Sequence, residues 1–280
     1  MKALPFKIPK PQNTALVYQI DEGKSFYNQL HQHEEIQISY IESGEGKLIV
    51  GDTIGQFKAS DLLVIGSNLP HLFQADDKEQ NCKMFTLFFS KTSFGNLFEL
   101  EETRSVSAFF RKSMKGIRLI HPNKEIIGLL KEAEKTDAFE KMIALFRIIL
   151  LIEKNESEPL STYIYDKHYT EDEGNRMNQV MNFTMENFGR EISLDEIAEI
   201  AHMTPNAFCR YFKKRTNKTY FQFLIEVRLE NACKLLQQQK DLSVAEISDQ
   251  SGFRNIAFFN RKFKSYKCTT PTKFREVVKL

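Results

Sequence analysis

The sequence predicts a two-domain α+β protein, in which a small β-barrel or sandwich with helices precedes an all-helical domain. Short apolar or alternating runs separated by turn residues fill positions 13–90. A helical period replaces them from Ser93 to Lys154. The last third contains a repeated helical pattern. The chain of 280 residues is long enough for two domains. Their expected bounds are 1–155 and 175–280, with a polar linker at 156–174.

The N-terminal strands are assigned from apolar runs that glycines and other turn residues interrupt. Gly44, Gly51-Asp52 and Asn68-Leu69-Pro70 are such interruptions. Their close spacing favours a small barrel or sandwich. The predicted strands are Thr14–Ile20, Phe26–His31, Ile36–Glu42, Gly46–Val50, Leu62–Ile65 and Met84–Phe89.

The helical part of the first domain ends in an unusually apolar helix, predicted over 138–151. It is apolar around much of its circumference from Ile143 to Ile152. Such a helix needs cover from its own domain or from a second subunit.

The overall composition is that of a globular protein, with 41% hydrophobic and 27% charged residues. No apolar run reaches the roughly 18 to 20 residues that span a bilayer. The cysteines are scattered and form no CxxC pair, which fits a reducing cytoplasm better than a disulfide framework or a zinc site. We therefore expect a cytoplasmic protein that does not enter a membrane. The cysteines are Cys82, Cys209, Cys233 and Cys268.

The charge of the chain is unevenly distributed. Residues 172–280 hold 18 Lys and Arg against 13 Asp and Glu, a net charge of +5, and residues 1–171 hold 21 against 24, a net charge of −3. A basic C-terminal part fits a module that binds a polyanion.

The repeat in the last third is the most specific feature of the chain. Ser193–Ile197 returns as Ser243–Ile247, shifted by 50 positions, and Phe208–Phe212 returns as Phe259–Phe263, shifted by 51. Each copy begins with serine followed three residues later by glutamate, which is the capping-box pattern of a helix start. A turn and a second helix follow. The sequence thus predicts two helix-turn-helix units, at 192–215 and 242–267.

The second helix of each unit has an apolar face and a polar face. Thr204 is the expected N-cap in the first copy, where Pro205 suits the first helical position, and Asn255 is the expected cap in the second. The paired phenylalanines lie four residues apart and are expected to face the core. The outward stripes are Asn206, Cys209, Arg210 and Lys213 in the first copy, and Ile256, Ala257, Asn260, Arg261 and Lys264 in the second.

Stripes of this composition suit the major groove of DNA. Arginine can donate two bonds to guanine O6 and N7, and asparagine can pair with adenine. Lysines and free helix amides would contact phosphates, which position a protein without specifying sequence. The expected phosphate contacts come from Lys213, Lys214, Arg215, Lys218, Lys262, Lys264 and Lys267 and from the helix starts at Ser193, Thr204, Ser243 and Asn255.

Over residues 175–278 the chain resembles the AraC/XylS-type transcriptional regulators. The family signature is matched in residue type and spacing by both helix-turn-helix units and by the helix between them. The matching segments are Ile192–Ala198, Phe208–Lys214, Phe223-Leu224, Arg228–Leu236, Gly252-Phe253, Phe259–Lys264 and Thr270–Arg275.

The resemblance implies a transcriptional regulator that binds promoter DNA, with no enzyme activity and no cofactor, and RNA polymerase as a further candidate partner. It also implies an N-terminal cupin-like β-barrel that binds a small effector, and homodimers formed through N-terminal helices, for which 138–151 is the candidate. The base contacts that it implies are Asn206, Cys209, Arg210, Ile256, Ala257, Asn260 and Arg261.

Some residues depart from the family pattern. His202 stands in the first turn where glycine is usual, so we expect that turn to be less tight. Asn217 and Cys268 replace the glycines that follow the two recognition helices, and asparagine tolerates left-handed backbone better. Ile256 and Ala257 offer only apolar contacts, so the second helix is expected to read less sequence.

The candidate site of the N-terminal domain comprises His31, His33, Gln37 and His71. This spacing resembles the small-barrel cupin pattern, in which two close histidines, a carboxylate and a later histidine converge. Gln37 or Ile38 stands where the carboxylate belongs. We therefore expect an effector pocket and no metal. The alternatives are a metal held by three imidazoles and hydrogen-bonded barrel residues without a ligand.

Two other functions remain open at this point. One is a cupin-type metal enzyme carrying a DNA-binding tail, which needs a tightly bound metal. The other is an architectural DNA binder, which predicts steep salt dependence and no preferred site.

Overall fold

The structure is a computed structural model that describes residues 8–9, 14–76, 81–164 and 171–277, without the side chains of 171–175 and 277. The chain divides into an N-terminal unit, Met1–Asn175, and a C-terminal unit, Arg176–Leu280. The sheets lie in the first unit and the tandem helices in the second, which confirms the two-domain α+β prediction. Part of the predicted linker, 165–170, lies outside the described residues.

Within the described residues the strands of the N-terminal unit form two antiparallel sheets. The order is β1-β7-β2-β5-β8-β9 in one sheet and β4-β3-β6 in the other. The strands are β1 (Leu16–Gly23), β2 (Ile36–Ser43), β3 (Gly46–Val50), β4 (Thr53–Phe57), β5 (Leu62–Ile65), β6 (His71–Ala75), β7 (Cys82–Phe89), β8 (Ile117–Leu119) and β9 (Ser157–Pro159).

The two sheets pack face to face as an open sandwich and do not close into one barrel. Ile41 of β2, Phe57 of β4 and Phe73 of β6 belong to one apolar core between the sheets. The sheets remain separate because β3 pairs with β4 and β6, whereas β2 pairs with β5 and β7. Burial of both inner faces stabilises this arrangement without closure.

The predicted strand at Phe26–His31 is wrong. This segment is irregular, and His31 alone pairs, in an isolated bridge with His71. The Phe26 ring instead fills the core, 5.5 Å from the ring of Phe57 and 6.1 Å from that of Phe73. Strands β4 and β6 were not predicted, because the glycines and the proline around them were interpreted as turn residues.

Strand β2 is buried on both faces. Ile36, Ile38 and Tyr40 pack toward the helices of the unit. The alternate residues Gln37 and Ser39 face the sandwich interior and are 3% and 0% exposed. Polar side chains are therefore enclosed between the sheets.

Three helices cover the six-stranded sheet: α1 (Ser107–Ser113), α2 (Lys124–Glu132) and α3 (Ala138–Lys154). The Asp137 carboxylate accepts from the amides of Phe139 and Glu140, both at 2.8 Å, and so caps α3. The inner face of α3 joins the core, whereas Phe139 and Ile143 on its other side are 65% and 54% exposed.

The chain after α3 is held against the N-terminal unit. Strand β9 pairs with β8, and Leu160 packs in the core between the sheets. The buried Asp52 carboxylate accepts from Ser161 Oγ at 2.7 Å and from the Thr162 amide at 2.9 Å. The first residues of the predicted linker are thus structured parts of this unit.

The described part of the C-terminal unit is helical. Helix α7 has buried residues along its whole length and packs against both helix-turn-helix units. None of the described helices is both long and apolar enough to cross a bilayer. The helices are α4 (Glu171–Asn187), α5 (Leu194–Ile200), α6 (Pro205–Thr216), α7 (Tyr220–Gln238), α8 (Val244–Gln250), α9 (Ile256–Lys267) and α10 (Pro271–Val277).

Candidate nucleic-acid interface and histidine cluster

Serine caps begin the first helix of both helix-turn-helix units. Ser193 Oγ accepts from the Glu196 amide at 3.1 Å, and Ser243 Oγ accepts from the Glu246 amide at 3.2 Å. The reciprocal bond, in which Glu246 accepts from the Ser243 amide at 2.7 Å, completes the capping box in the second unit. The complete box predicted at Ser193 is wrong, because the Glu196 carboxylate pairs with Arg190 at 2.7 Å.

The two turns have the same backbone conformation despite different residues. His202 has φ 51° and Gly252 has φ 84°. Their amides donate to the carbonyls of Glu199 and Asp249, both at 2.8 Å, and the next amides donate to the carbonyls five residues earlier at 2.9 and 3.0 Å. The expectation of a looser first turn is therefore wrong. The histidine adopts the left-handed conformation, at a cost of roughly 1–2 kcal/mol.

Close packing requires glycine in the second turn. A Cβ atom on Gly252 would lie 2.5 Å from the Phe188 carbonyl oxygen and 2.8 Å from Arg228 Nε. These atoms are fixed, because Arg228 Nε donates to that carbonyl at 2.8 Å and Nη2 donates to the Arg190 carbonyl at 2.7 Å. The Arg228 side chain thereby ties α7 to the segment before α5.

Helix α6 presents the predicted polar stripe to solvent. Thr204 occupies the N-cap position without a side-chain cap bond, and Pro205 is the first helical residue. Phe208 and Phe212 on the opposite face are fully buried. The exposed side chains are Asn206, Cys209, Arg210, Lys213 and Lys214.

Helix α9 repeats this arrangement. The Asn255 side chain accepts from the Phe258 amide at 2.9 Å and caps the helix, while Phe259 and Phe263 are fully buried. The Arg261 guanidinium lies 5.4 Å from the centre of the Phe258 ring. The exposed side chains are Ile256, Ala257, Asn260, Arg261 and Lys264. The structure thus places each predicted base-contacting residue on an exposed helix face.

Two of the lysines considered for phosphate contacts are engaged inside the fold. Lys218 pairs with Glu226 at 2.7 Å, and Lys267 pairs with Glu230 at 2.6 Å. Both glutamates belong to α7, so these pairs attach the ends of the recognition helices to it. Asn217 and Cys268 end those helices with φ 57° and 56°, at equivalent left-handed positions.

The structure brings the predicted N-terminal site residues together inside the sandwich. His31, His33, Gln37 and His71 are 9%, 4%, 3% and 0% exposed. The His71 ring centre lies 4.1 Å from that of His31 and 5.0 Å from that of His33.

A buried chain of polar groups extends from this cluster. His33 Nε2 lies 3.2 Å from Gln37 Oε1, the Gln37 amide donates to Ser39 Oγ at 2.9 Å, and Ser39 Oγ lies 2.9 Å from Thr86 Oγ1. The sequence reasoning missed Ser39 and Thr86. The signal that was available is the polar alternation in β2 at Gln37 and Ser39.

Burial keeps the three imidazoles neutral. Desolvation lowers the pKa of His31 to about 3 and the pKa of His33 below its usual value. The pKa of His71 is also lowered by burial and then by the neighbouring histidines. Neutral imidazole carries one N–H donor and one acceptor nitrogen, so the cluster can accept bonds or bind a cation near neutral pH.

Comparison with protein families agrees with this division of the chain. Residues 13–149 match the family model described as an AraC-like ligand binding domain, and residues 197–276 match a helix-turn-helix domain model. The two matches fall within the N-terminal and C-terminal units respectively.

Similar proteins cover nearly the whole chain. An uncharacterized HTH-type transcriptional regulator, YdeC of Bacillus subtilis, is 25% identical over 92% of this chain and 89% of its own length. The Msm operon regulatory protein of Streptococcus mutans is 25% identical over the same shares. The HTH-type transcriptional activator RhaR of Mannheimia succiniciproducens is 24% identical over 88% of this chain and 86% of its own length.

Proposed function

Since the chain belongs to the AraC/XylS-type transcriptional regulators, we propose that it binds promoter DNA with α6 and α9 in neighbouring stretches of the major groove. The observation that carries this proposal is the duplication of one scaffold with two exposed, arginine-bearing stripes. Two linked readers recognise a longer site than either reads alone. The protein thereby acts as a sequence-specific regulator.

The exposed side chains divide by chemistry into base and phosphate contacts. Arg210 and Arg261 suit guanine, Asn206 and Asn260 suit adenine, and Ile256 with Ala257 suits thymine methyl groups. Cys209 lies within the first stripe and contacts bases beside Arg210. The phosphate contacts are Ser193, Thr204, Lys213, Lys214, Ser243, Asn255 and Lys264, each exposed and next to a stripe or at a helix start.

The N-terminal unit senses an effector at His31, His33, Gln37 and His71, in support of which these side chains converge inside the sandwich. Effector binding shifts the population of arrangements in which the protein occupies DNA. Its relatives are regulators by name, and we assign the chain no catalytic role. The protein acts in the cytoplasm, where DNA and RNA polymerase are available as partners.

Helix α3 forms the homodimer contact. Phe139 and Ile143 lie one turn apart and are 65% and 54% exposed. Next to them, Phe146 and Leu150 line an apolar groove of about 220 Å³ with Phe98 and Val106. A second copy is the occupant that this face fits, because a two-fold contact would bury both the side chains and the groove.

The DNA proposal is tested by selecting duplexes from a random pool with full-length protein and measuring anisotropy on the enriched and shuffled sequences. We expect tighter binding to the enriched duplex. Changing Lys213 and Lys214 to alanine should weaken binding to both duplexes and reduce the salt slope by about one per phosphate contact. Equal affinity for both duplexes would instead support an architectural binder.

The dimer proposal is tested by sedimentation of Ile143→Asp beside the control Glu140→Lys, which changes charge at an exposed position of the same helix. We expect the Ile143 variant to be monomeric with an unchanged melting temperature, and the control to stay dimeric. A dimeric Ile143→Asp protein would exclude this face.

A further inference from the structure

The histidine cluster has the geometry of a cation site. His31, His33 and His71 each offer one ring nitrogen, and these nitrogens lie within 4.8 Å of one another. A tetrahedral zinc ion at about 2.0–2.1 Å from nitrogen needs ligand atoms roughly 3.3 Å apart. Small ring rotations would therefore bring the nitrogens to bonding distance.

The rings are already oriented by their other nitrogen. Each Nδ1 lies at 2.8 or 2.9 Å from a backbone carbonyl oxygen. A carbonyl only accepts, so Nδ1 carries the hydrogen and Nε2 is the nitrogen with the lone pair. Metal-ligating histidines are held in this way by a bond from their second nitrogen. The three pairs are His31 with Gln29, His33 with Glu35 and His71 with Leu69.

Two atoms in the cluster lack the donor that a buried acceptor needs. His71 Nε2 is buried and has no hydrogen-bond partner. His33 Nε2 lies 3.2 Å from Gln37 Oε1, while the Gln37 amide nitrogen is directed to Ser39. Two electron-rich atoms thus face each other. A buried acceptor without a donor costs about 1–3 kcal/mol, and a cation between these atoms removes that cost.

We propose that His31, His33 and His71 bind one divalent transition-metal ion, with Gln37 Oε1 completing the coordination. Imidazole ligands suit zinc, nickel, cobalt, copper or iron, whereas magnesium and calcium prefer oxygen. This inference rests on the proposed function only in that it identifies the chemical class of the effector. It replaces the expectation that the cluster holds no metal.

The enclosure of the cluster favours an ion over an organic effector. The four side chains are 0–9% exposed, and two ring centres are 4.1 Å apart. An anionic effector would require imidazolium, whose formation burial opposes by lowering the pKa of each histidine. A cation instead binds the neutral form that is present.

The cluster is also joined to the segment that leaves the N-terminal unit. His71 begins β6 and pairs with Val50 of β3. Two residues beyond Val50, Asp52 holds Ser161 and Thr162. Binding of an ion would stabilise this connected ladder, so the melting temperature should rise with metal.

The test uses full-length protein without an affinity tag, stripped of metal by a chelator. Zn²⁺, Ni²⁺ and Co²⁺ are titrated by calorimetry, with Mg²⁺ as the control ion, and the Co²⁺ complex is followed by absorbance. We expect one ion per chain and nitrogen-ligand absorption bands. His71→Gln and His33→Gln should bind about 100-fold more weakly or less tightly still, because losing a ligand costs at least as much as losing its orienting partner.

The control variant is His121→Gln, since His121 is exposed and outside the cluster. It should bind metal as the unchanged protein does. Folded unchanged protein that binds none of these ions, or equal binding by the cluster and control variants, would overturn the proposal. If a cluster variant does not fold, the stoichiometry and Co²⁺ spectrum of the unchanged protein still decide. Specific DNA binding measured on the same preparation separates this result from failure of the DNA proposal.

Discussion

The two helix-turn-helix units share one scaffold and differ in the surface that they present. Their turns make the same backbone bonds, and each recognition helix buries two phenylalanines completely. The first stripe is polar throughout, whereas the second begins with Ile256 and Ala257. Core and turn residues therefore determine how a recognition helix is held, and the exposed residues determine what it can read.

The first prediction tests whether the two cores are equivalent. Phe208→Ala and Phe259→Ala should each destabilise the protein by about 3–5 kcal/mol, because both rings are fully buried among other aromatic rings. Thermal unfolding monitored by circular dichroism measures the loss. Cys209→Ala is the control, since an exposed side chain should change stability by less than about 0.5 kcal/mol. Tolerance of one phenylalanine change but not the other would break the equivalence.

The second prediction contrasts the two turns. Gly252→Ala should cost about 2–4 kcal/mol, because the new Cβ combines left-handed strain with a collision against the Phe188 carbonyl. His202→Ala should change stability by less than about 1 kcal/mol, since His202 already carries a Cβ at φ 51°. Melting temperatures of the two variants give the comparison. Equal losses would show that packing around Gly252 is not what requires glycine.

The third prediction compares what the two stripes read. Arg210→Ala should lose about 1–3 kcal/mol of binding on the enriched duplex and far less on a shuffled one. Ile256→Ala should lose less than about 1 kcal/mol, because a methyl contact contributes less than a bidentate bond. Anisotropy titrations at fixed salt measure both. A larger loss for Ile256→Ala would reverse the assignment of the first helix as the stronger reader.

The fourth and smallest effect concerns strain in the first turn. His202→Gly should stabilise the protein by up to about 1 kcal/mol, since glycine removes left-handed strain but loses more chain entropy on folding. A melting curve beside that of His202→Ala measures the difference. A lower melting temperature for the glycine variant would mean that His202 makes a stabilising contact.

The sequence predicted the C-terminal unit well because its signals are local. Caps, turn residues and the four-residue spacing of Phe208 and Phe212 are set within one helix or turn, so each could be recognised from neighbouring residues. The exception is instructive: Arg190 takes the Glu196 carboxylate from the predicted capping box. A capping pattern does not reveal a competing cation from outside the repeat.

The N-terminal unit was harder to predict because its structure depends on distant pairs. The pairing of His71 with Val50 and the attachment of Ser161 to Asp52 join residues from different segments. No local period marks either contact. The histidine spacing suggested that the rings converge, but only the structure shows that carbonyls orient them and that His71 Nε2 lacks a donor.

The central claim is that each stripe reads its own block of one DNA site. The most direct measurement is selection from a random duplex pool by the full-length protein, Arg210→Ala and Arg261→Ala in parallel. We expect two sequence blocks about one helical turn apart, with Arg210→Ala relaxing one block and Arg261→Ala relaxing the other. Enrichment of a single block, or loss of the same positions in both variants, would contradict the account.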